Sequence, residues 1–599
     1  MLILVPIADV LADDEGAVRS SRIHHLQQQI QSWDQNTRSS TDVTVILEDR
    51  AKSGIGNQIV NAGARIKYRK GNSYQVRLSA DKIESFLQKL PTHVLARLPY
   101  PHRADTVISQ GVALTGSEDM QALAYDGASV KVGVIDLGFA SLSASQAAGE
   151  LPAGLTITDY TGTGTGGSNH GTNVAEIVHD MAPGAELYLA KIGSLLELET
   201  ALNDMISDGV QVINHSVAWF GTAFYDGTGP VCDITNTAEA AGIIWANSAG
   251  NYRVKHYLGT FTDSDSNLRH EFTTGQNFNT FNVNAGGVYS LTLNWDAYPT
   301  TTIDYDLYIY DGNPDAGGTV VASSTNAQSA RRPFNYPYPY ESLSFQASTT
   351  GTHYIVVTKK DGSTPDLPLT LFSYDSSLAI RTTATSLTQP ADCASVLTVA
   401  ASRLDDVPES FSSEGPTVDG RNKPEVTGPD RVATSLSTSF AGTSASSPHI
   451  AGAVAQLIQQ NPSMSYFDIR NLLSTTAHDV HTAGFDFRTG HGRISLDADN
   501  DGHNHDDDNC LLDYNPTQLD TDLDMSGDVC DLDDDNDGLA DVFELSIGTD
   551  PLLIDSDGDT LSDYDEVAYD GDDTSYEEGS DLNPLSMDTD NDTFADNTD

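Results

Sequence analysis

Basic residues are scarce in this chain of 599 residues, which has 31 Lys and Arg against 86 Asp and Glu and a formal net charge of −55. So negative a chain repels nucleic acid and anionic membranes, and both are therefore poor candidate partners. The sequence also lacks any run of 18 apolar residues, which excludes a membrane-spanning helix. Its favoured electrostatic partner is a divalent cation.

Cysteine is almost as scarce, with four residues at Cys232, Cys393, Cys510 and Cys530. An even number favours disulfides and an oxidising compartment, and four cysteines allow three pairings. The apolar start Met1–Ala8 lacks the basic residues of a secretory signal and is short for one. It is either the remnant of a signal or the first strand of a domain.

The length of the chain exceeds what one hydrophobic core can serve, so we expect three or four domains. Residues 42–98 have the pattern β-α-β-β-α-β, which is typical of a small ferredoxin-like unit. From about 257 to 385 short alternating strands, such as Val288–Trp295 and Tyr305–Tyr310, predict a β-sandwich. Strands alternate with helical segments on both sides of this block. We therefore predict a doubly wound parallel α/β domain with the sandwich inserted in it.

Four polar residues stand at predicted strand or helix ends of the α/β domain. Asp136 closes a buried strand, His170 opens a helix after the glycine-rich loop 161–167, and Asn251 follows another strand. Ser444 follows Gly442-Thr443 at the start of an apolar helix, where the helix dipole and free amides favour an anion. Each residue alone is more easily explained as a turn or capping residue.

Together these four residues fill the roles of hydroxyl-nucleophile catalysis. Ser444 is the candidate nucleophile, His170 the base, Asp136 the carboxylate that orients the base, and Asn251 an oxyanion donor. The chain order Asp, His, Ser is that of subtilisin. An α/β-hydrolase would have Gly-x-Ser-x-Gly and its serine before its histidine.

The chain resembles the subtilisin-like serine peptidases over about 113–256 and 386–495. Four motifs in order carry the resemblance: Val134–Gly138, His170–Ala175, Ala249–Asn251 and Gly442–His449. The resemblance implies a peptide-bond hydrolase that acts on protein or peptide substrates, with the four residues above as its site. The related sedolisins have an acid in place of the histidine, and His170 argues against them.

The chain departs from the family pattern at three places. Leu137 stands where the family has Ser or Thr, and Glu176 stands where it has glycine, which puts the packing of that helix in question. The substrate-binding edge is Ser216-Val217-Ala218 rather than Ser-Leu-Gly. Backbone pairing with an extended peptide would survive this change.

The flanking regions also resemble parts of secreted peptidases. Residues 1–112 are expected to hold an N-terminal segment and an inhibitory propeptide, with cleavage somewhere in 99–115, after Pro99–Arg103. The inserted block, 257–385, resembles the jelly-roll modules often attached to such enzymes.

The tail, residues 497–599, contains 36 of the 86 acidic residues and no Lys or Arg. Five windows repeat Asp at positions 1, 3 and 5 with an acid at position 12, and four of them have Asp at position 9. Oxygen ligands at such spacing suit Ca²⁺, whereas a charge run alone more often indicates disorder. The candidate ligands are Asp497, Asp499, Asp501, Asp508; Asp520, Asp522, Asp524, Asp528, Asp531; Asp533, Asp535, Asp537, Asp541, Glu544; Asp555, Asp557, Asp559, Asp563, Glu566; and Asp588, Asp590, Asp592, Asp596, Asp599.

The tail resembles thrombospondin type 3 repeats, in which calcium ions replace a hydrophobic core. That resemblance implies structural Ca²⁺, a Cys510–Cys530 bridge and a stalk through which the protein could attach to a cell surface or matrix. We therefore expect a secreted or cell-surface subtilisin-like endopeptidase. The alternative from another class is a catalytically inactive, adhesive, calcium-binding surface protein.

Overall fold

The structure is a computed structural model, and the residues that it describes are 42–49, 54–70, 73–87, 89–90, 94–97, 107–328, 338–499, 501–569, 576, 580–589 and 596. The apolar start Met1–Ala8 and the segment Pro99–Arg103, on which two predictions fall, lie outside these residues. The chain divides into two units, residues 1–105 and 106–599.

The described residues of the first unit form one four-stranded antiparallel sheet and two short α-helices. Tyr74, Val76 and Leu78 alternate with more exposed residues along one strand, so a single face of the sheet is buried with Ile59 and Phe86. The sheet order is β2-β3-β1-β4. The elements are β1 Asp42–Asp49, α1 Gly56–Asn61, β2 Arg65–Lys70, β3 Ser73–Ser79, α2 Ile83–Leu87 and β4 Val94–Arg97.

A seven-stranded parallel sheet forms the centre of the second unit, which confirms the predicted parallel α/β fold. Its central strands are buried on both faces, which explains their apolar character in the sequence, whereas the edge strand 156–159 is partly exposed. The strand order is β19-β18-β9-β8-β5-β7-β6. The strands are β5 Lys131–Asp136, β6 Thr156–Asp159, β7 Glu186–Lys191, β8 Val212–His215, β9 Ile244–Ser248, β18 Leu397–Ser402 and β19 Val426–Pro429.

Helices flank this sheet, and the longest of them is buried from residue 443 to residue 458. That helix packs on the helix that begins at His170 and on several central strands. The helices are α3 Gly111–Leu114, α4 Ser117–Ala122, α5 Leu142–Ala148, α6 His170–Met181, α7 Leu195–Asp208, α8 Pro230–Ala240, α9 Thr443–Gln460 and α10 Tyr466–Thr475; the hairpin β20 Val432–Thr434 and β21 Ser437–Phe440 precedes α9.

Two four-stranded antiparallel sheets interrupt the parallel sheet between β9 and β18. They share one apolar core, and the alternating burial of Tyr305, Leu307 and Ile309 shows which face of β13 contributes to it. The sheet orders are β10-β17-β12-β15 and β11-β16-β13-β14. The strands are β10 His256–Thr260, β11 Asn279–Val283, β12 Val288–Trp295, β13 Tyr305–Tyr310, β14 Val320–Ser324, β15 Tyr340–Gln346, β16 Gly351–Lys359 and β17 Pro368–Ser373.

Where the structure describes it, the acidic tail consists of loops with two short helices, α11 Asp541–Ile547 and α12 Asp563–Val567. Arg493, only 1% exposed, joins the tail to the α/β domain. Its guanidinium donates to Asp406 at 2.8 Å and to Asp506 at 3.0 Å. Ion pairs of one buried arginine thus connect the start of the tail to the α/β domain.

Disulfides join Cys232 to Cys393 and Cys510 to Cys530. The second pairing confirms what the tail resemblance implies, and the first was left open by the sequence. Among the described residues, no helix combines the length and apolar character that crossing a membrane requires.

Candidate active site

Asp136 and His170 are brought together by the end of β5 and the start of α6. Asp136 is 1% exposed, and its Oδ2 lies 2.7 Å from His170 Nδ1. Gly171 allows this approach, because a Cβ at that position would lie 2.9 Å from Asp136 Cβ and 2.7 Å from the carbonyl oxygen of Gly138. A larger residue would push α6 away from the strand end.

The carboxylate of Asp136 has a hydrogen bond on each oxygen, and one of the two orients the imidazole. Oδ2 accepts from His170 Nδ1–H, and Oδ1 accepts from the Leu137 N–H at 2.7 Å. Burial disfavours a protonated imidazole, but the charge of Asp136 and its hydrogen bond outweigh this effect, so the pKa of His170 is raised. The His170 side chain is still 32% exposed, which leaves it open to a substrate.

Ser444 is the second residue of α9, and it lies against the predicted substrate-binding edge. Its hydroxyl donates to the Ser216 carbonyl oxygen at 3.3 Å, and the Ser216 hydroxyl donates to the Ser444 carbonyl oxygen at 3.3 Å. Within the described part of the chain, no hydrogen bond joins Ser444 to His170. Ser444 is only 8% exposed, since Ser216 packs against it.

Asn251 lies beside the turn that precedes Ser444. Its Oδ1 accepts from the Thr443 N–H at 3.0 Å and from the Thr443 hydroxyl at 3.1 Å. Gly442 has φ +122°, and a Cβ there would lie 3.0 Å from Asn251 Nδ2, so this turn needs glycine. Because Oδ1 is engaged, Nδ2 is the part of the amide that remains for a ligand.

The departures from the family pattern are accommodated locally. Glu176 is 1% exposed and accepts from Ser145 Oγ at 2.6 Å and from the N–H and hydroxyl of Ser435 at 2.8 and 2.6 Å. It therefore ties α6 to the hairpin before α9, and the packing of the helix is intact. Leu137 is 48% exposed and contributes its backbone N–H.

The predicted substrate-binding edge, Ser216-Val217-Ala218, follows β8 without regular structure. Val217 and Ala218 are half-buried, and the next N–H, of Trp219, donates to the Gln389 carbonyl oxygen at 2.8 Å. The stretch with free backbone for a peptide therefore ends at Ala218.

Two further buried residues, His215 and Asp430, lie near the site and were not among the predicted site residues. His215 pairs with Ile135 of the neighbouring strand. Its Nδ1–H donates to the Ile135 carbonyl oxygen, and its Nε2 accepts from the Trp219 Nε1–H. Burial lowers its pKa to about 4, so it is a neutral histidine behind Asp136. Asp430 follows β19 and accepts from the Gly442 N–H at 2.8 Å. Both residues stand at strand ends, the same signal that identified Asp136.

The tail brings the predicted ligands of four windows together. In each of them the carboxylate oxygens of positions 1, 3 and 5 lie within 4.8 Å of one another. Glu544 and Glu566, at position 12, are 0% exposed. Glu544 Oε2 and both oxygens of Glu566 have no hydrogen-bond partner in the described structure. Burial and the neighbouring carboxylates raise the pKa of each glutamate to about 8.

The other predicted tail ligands have different positions. The Asp at position 9 accepts from the N–H of position 2 in four windows, at 2.8 to 3.0 Å. Asp508 and Asp531, at position 12, accept from backbone N–H groups of nearby loop residues instead. Asp590, Asp592 and Asp599 lie outside the described residues.

Comparison with known proteins identifies two families. The model of the subtilase family matches residues 127–335 and 287–492, which together are more than half of the chain. The bacterial thrombospondin type 3 repeat model matches residues 533–553, which include the window from Asp533 to Glu544.

Individual relatives match shorter parts. Fervidolysin of Fervidobacterium pennivorans is 44% identical over 59 residues, 10% of this chain and 8% of the relative. Subtilisin DY of Bacillus licheniformis is 29% identical over 159 residues, 24% of this chain and 55% of the relative. The chain thus spans about half or less of the curated relatives it matches. The CspB protease structure from Clostridium perfringens is 16% identical, with 66% of this chain and 98% of that chain covered, at a TM-score of 0.47. By the extent of the family match, the chain belongs to the subtilase family.

Proposed function

We propose that the chain is a subtilisin-like serine endopeptidase that hydrolyses peptide bonds in protein or peptide substrates. The observation that carries this proposal is the 2.7 Å hydrogen bond between Asp136 Oδ2 and His170 Nδ1. Ser444 lies at the start of another helix of the same domain, and Asn251 follows another strand. A buried carboxylate on Nδ1 is what a general-base histidine needs, because it leaves Nε2 to take a proton.

The reaction begins with the hydroxyl of Ser444. In the structure this hydroxyl donates to the Ser216 carbonyl oxygen, so a rotation about the Cα–Cβ bond must turn it toward His170 Nε2. The imidazole then takes the proton as Ser444 Oγ attacks the scissile carbonyl carbon, and Asp136 stabilises the imidazolium that forms. Returning this proton to the leaving amine completes acylation, and a water molecule repeats the sequence to release the acid.

The negative charge that develops on the carbonyl oxygen is assigned to two donors. Asn251 Nδ2 is one, since its Oδ1 is already held by Thr443. The Ser444 N–H is the other, because amides in the first turn of a helix have no acceptor within the helix. The substrate backbone would pair with Ser216-Val217-Ala218 as an added strand.

The tail is proposed to bind structural Ca²⁺. Glu544 and Glu566 are fully buried, and three of their four carboxylate oxygens have no partner in the described structure. An ionised carboxylate is rarely buried without a counter-charge. The three carboxylates beside each glutamate offer the hard oxygen donors that Ca²⁺ takes, so the residues fit the ion. The ion would supply the cohesion that the tail lacks in apolar residues.

The remaining domains are assigned roles by their place in the chain. Residues 1–112 are proposed as an N-terminal segment and propeptide, 113–256 with 386–495 as the catalytic domain, 257–385 as an inserted β-sandwich and 497–599 as the calcium-binding tail. Two disulfides favour a secreted or cell-surface location. Protein that begins upstream of residue 99 and is fully active would contradict the propeptide assignment.

A serine-directed fluorophosphonate probe tests the catalytic proposal. The wild-type chain should be labelled and should cleave a denatured protein mixture, while Ser444→Ala should do neither. Ser446→Ala is the matched control, because it removes another buried hydroxyl two residues along the same helix and should leave labelling intact. A wild-type chain that is folded but not labelled would favour the inactive, adhesive alternative.

A further inference from the structure

A buried carboxylate underlies the turn from which α9 begins. Asp430 is 0% exposed, and its Oδ1 accepts from the Gly442 N–H at 2.8 Å. Its own N–H donates to the Ser402 carbonyl oxygen at the end of β18, at 2.7 Å. The parallel sheet therefore fixes the backbone of Asp430, and the Asp430 carboxylate fixes the backbone of Gly442.

The turn is held from a second side by Asn251. Asn251 Oδ1 accepts from the Thr443 N–H, so Asp430 and Asn251 take the amide hydrogens of two consecutive residues. The third amide in this series belongs to Ser444. Whatever shifts Gly442 and Thr443 therefore shifts both the Ser444 hydroxyl and the Ser444 N–H.

We propose that Asp430 is a positioning residue, which fixes the Gly442 amide and so aims the Ser444 hydroxyl and N–H at the scissile carbonyl. The inference rests on the proposed peptidase function and adds a residue that does not touch the substrate. Displacing a nucleophile by about 1 Å can lower the rate roughly a hundredfold, so one hydrogen bond at this turn has a large effect on turnover.

The charged groups around Asp430 are Glu409 and Arg431, which pair with each other. Burial raises the pKa of Asp430 to about 7, and the charge of Glu409 contributes to this rise. The amides of Arg431 and Gly442 and the charge of Arg431 act in the opposite direction and lower the pKa. In either protonation state a carboxyl oxygen can accept the Gly442 N–H. Positioning therefore does not depend on the charge, and an amide side chain at this position would retain it.

The experiment compares three variants of the full chain: Asp430→Ala, Asp430→Asn and the matched control Asp392→Ala. Asp392 is also 0% exposed and accepts a glycine N–H, that of Gly227, at 2.9 Å. Circular dichroism establishes folding, and fluorophosphonate titration counts the active molecules. Asp430→Ala should lower kcat roughly 10- to 100-fold with KM changed less than about twofold.

Asp430→Asn should restore kcat to within about threefold of wild type, because it keeps the acceptor oxygen. Asp392→Ala should be less heat-stable but should keep kcat per titrated site. Equal kcat in Asp430→Ala and Asp392→Ala would overturn the inference, and so would an equal loss in Asp430→Asn and Asp430→Ala. A folded wild-type chain that is not labelled would refute the proposed peptidase function itself. If the wild type is labelled and active, a negative result for the variants refutes only the positioning role of Asp430.

Discussion

Asp392 gives a prediction about how stability depends on pH. It lies beside the Cys232–Cys393 disulfide with no exposed surface. Burial raises its pKa to about 7, although the Gly227 amide, Gln389 and Arg421 favour the charged form. In an unfolded chain the pKa of aspartic acid is about 3.9. The folded protein therefore retains this proton over a range of about three pH units in which the unfolded chain has lost it.

The sign and size of the effect follow from this difference. The stability contributed by the protonated form is fully present below about pH 4 and is lost as the pH rises to about 7. Three pKa units correspond to roughly 4 kcal/mol of unfolding free energy. Asp392→Asn stays neutral and retains an oxygen for the Gly227 N–H. Its unfolding free energy relative to wild type should therefore rise by up to roughly 4 kcal/mol between pH 4 and pH 8.

Urea titrations at pH 4, 5, 6, 7 and 8, followed by tryptophan fluorescence, measure this difference. Both chains should carry Ser444→Ala to prevent self-digestion. Asp419→Asn is the control, because Asp419 is an exposed acid in a nearby loop with a lowered pKa, so its difference from wild type should stay flat over this range. A difference for Asp392→Asn that does not change with pH would refute the reasoning.

Three further predictions concern the site and the tail. Asn251→Ala should lower kcat about 100- to 1000-fold in peptide hydrolysis, because one oxyanion donor is lost; a change in KM alone would contradict this. Asp136→Asn should lower kcat roughly 10⁴-fold and, because Asp136 raises the pKa of His170, should move the acid limb of the kcat/KM profile to lower pH; an unmoved limb would show that another group controls it. Glu544→Gln should weaken Ca²⁺ binding to the tail about tenfold by titration calorimetry, whereas the exposed Asp550→Asn should not; equal effects would assign binding to overall charge.

The parts of the fold that depend on local pattern were predictable. Val288–Trp295 and Tyr305–Tyr310 are strands with the predicted bounds, because alternation and flanking turn residues are contained within each segment. The parallel sheet was predictable for the same reason, since most of its strands are short buried runs and helices follow several of them. Asp136 and His170 could be selected because each stands at the end of such an element.

The parts that depend on contacts between distant segments were not predictable. The hydrogen-bond donors around Glu176 belong to Ser145 and Ser435, 31 and 259 residues away. The Ser444 hydroxyl donates to a residue 228 positions away, and no local pattern encodes that rotamer. Asp430 was not predicted as a functional residue, because a single acid after a strand indicates no function by itself. Its hydrogen bond to the Gly442 N–H becomes evident only in the structure.

The Cys232–Cys393 disulfide spans 161 residues of sequence, and this length has a consequence for damage to the chain. The two antiparallel sheets and Asn251 all lie inside the loop that the bridge closes. A single cut anywhere in that loop would leave Asp136 and His170 on one fragment and Ser444 on the other, yet the sulfur–sulfur bond would still hold the fragments together. A nicked molecule would thus run as one species on a gel until a reducing agent is added, and the two halves of its catalytic machinery would separate only then.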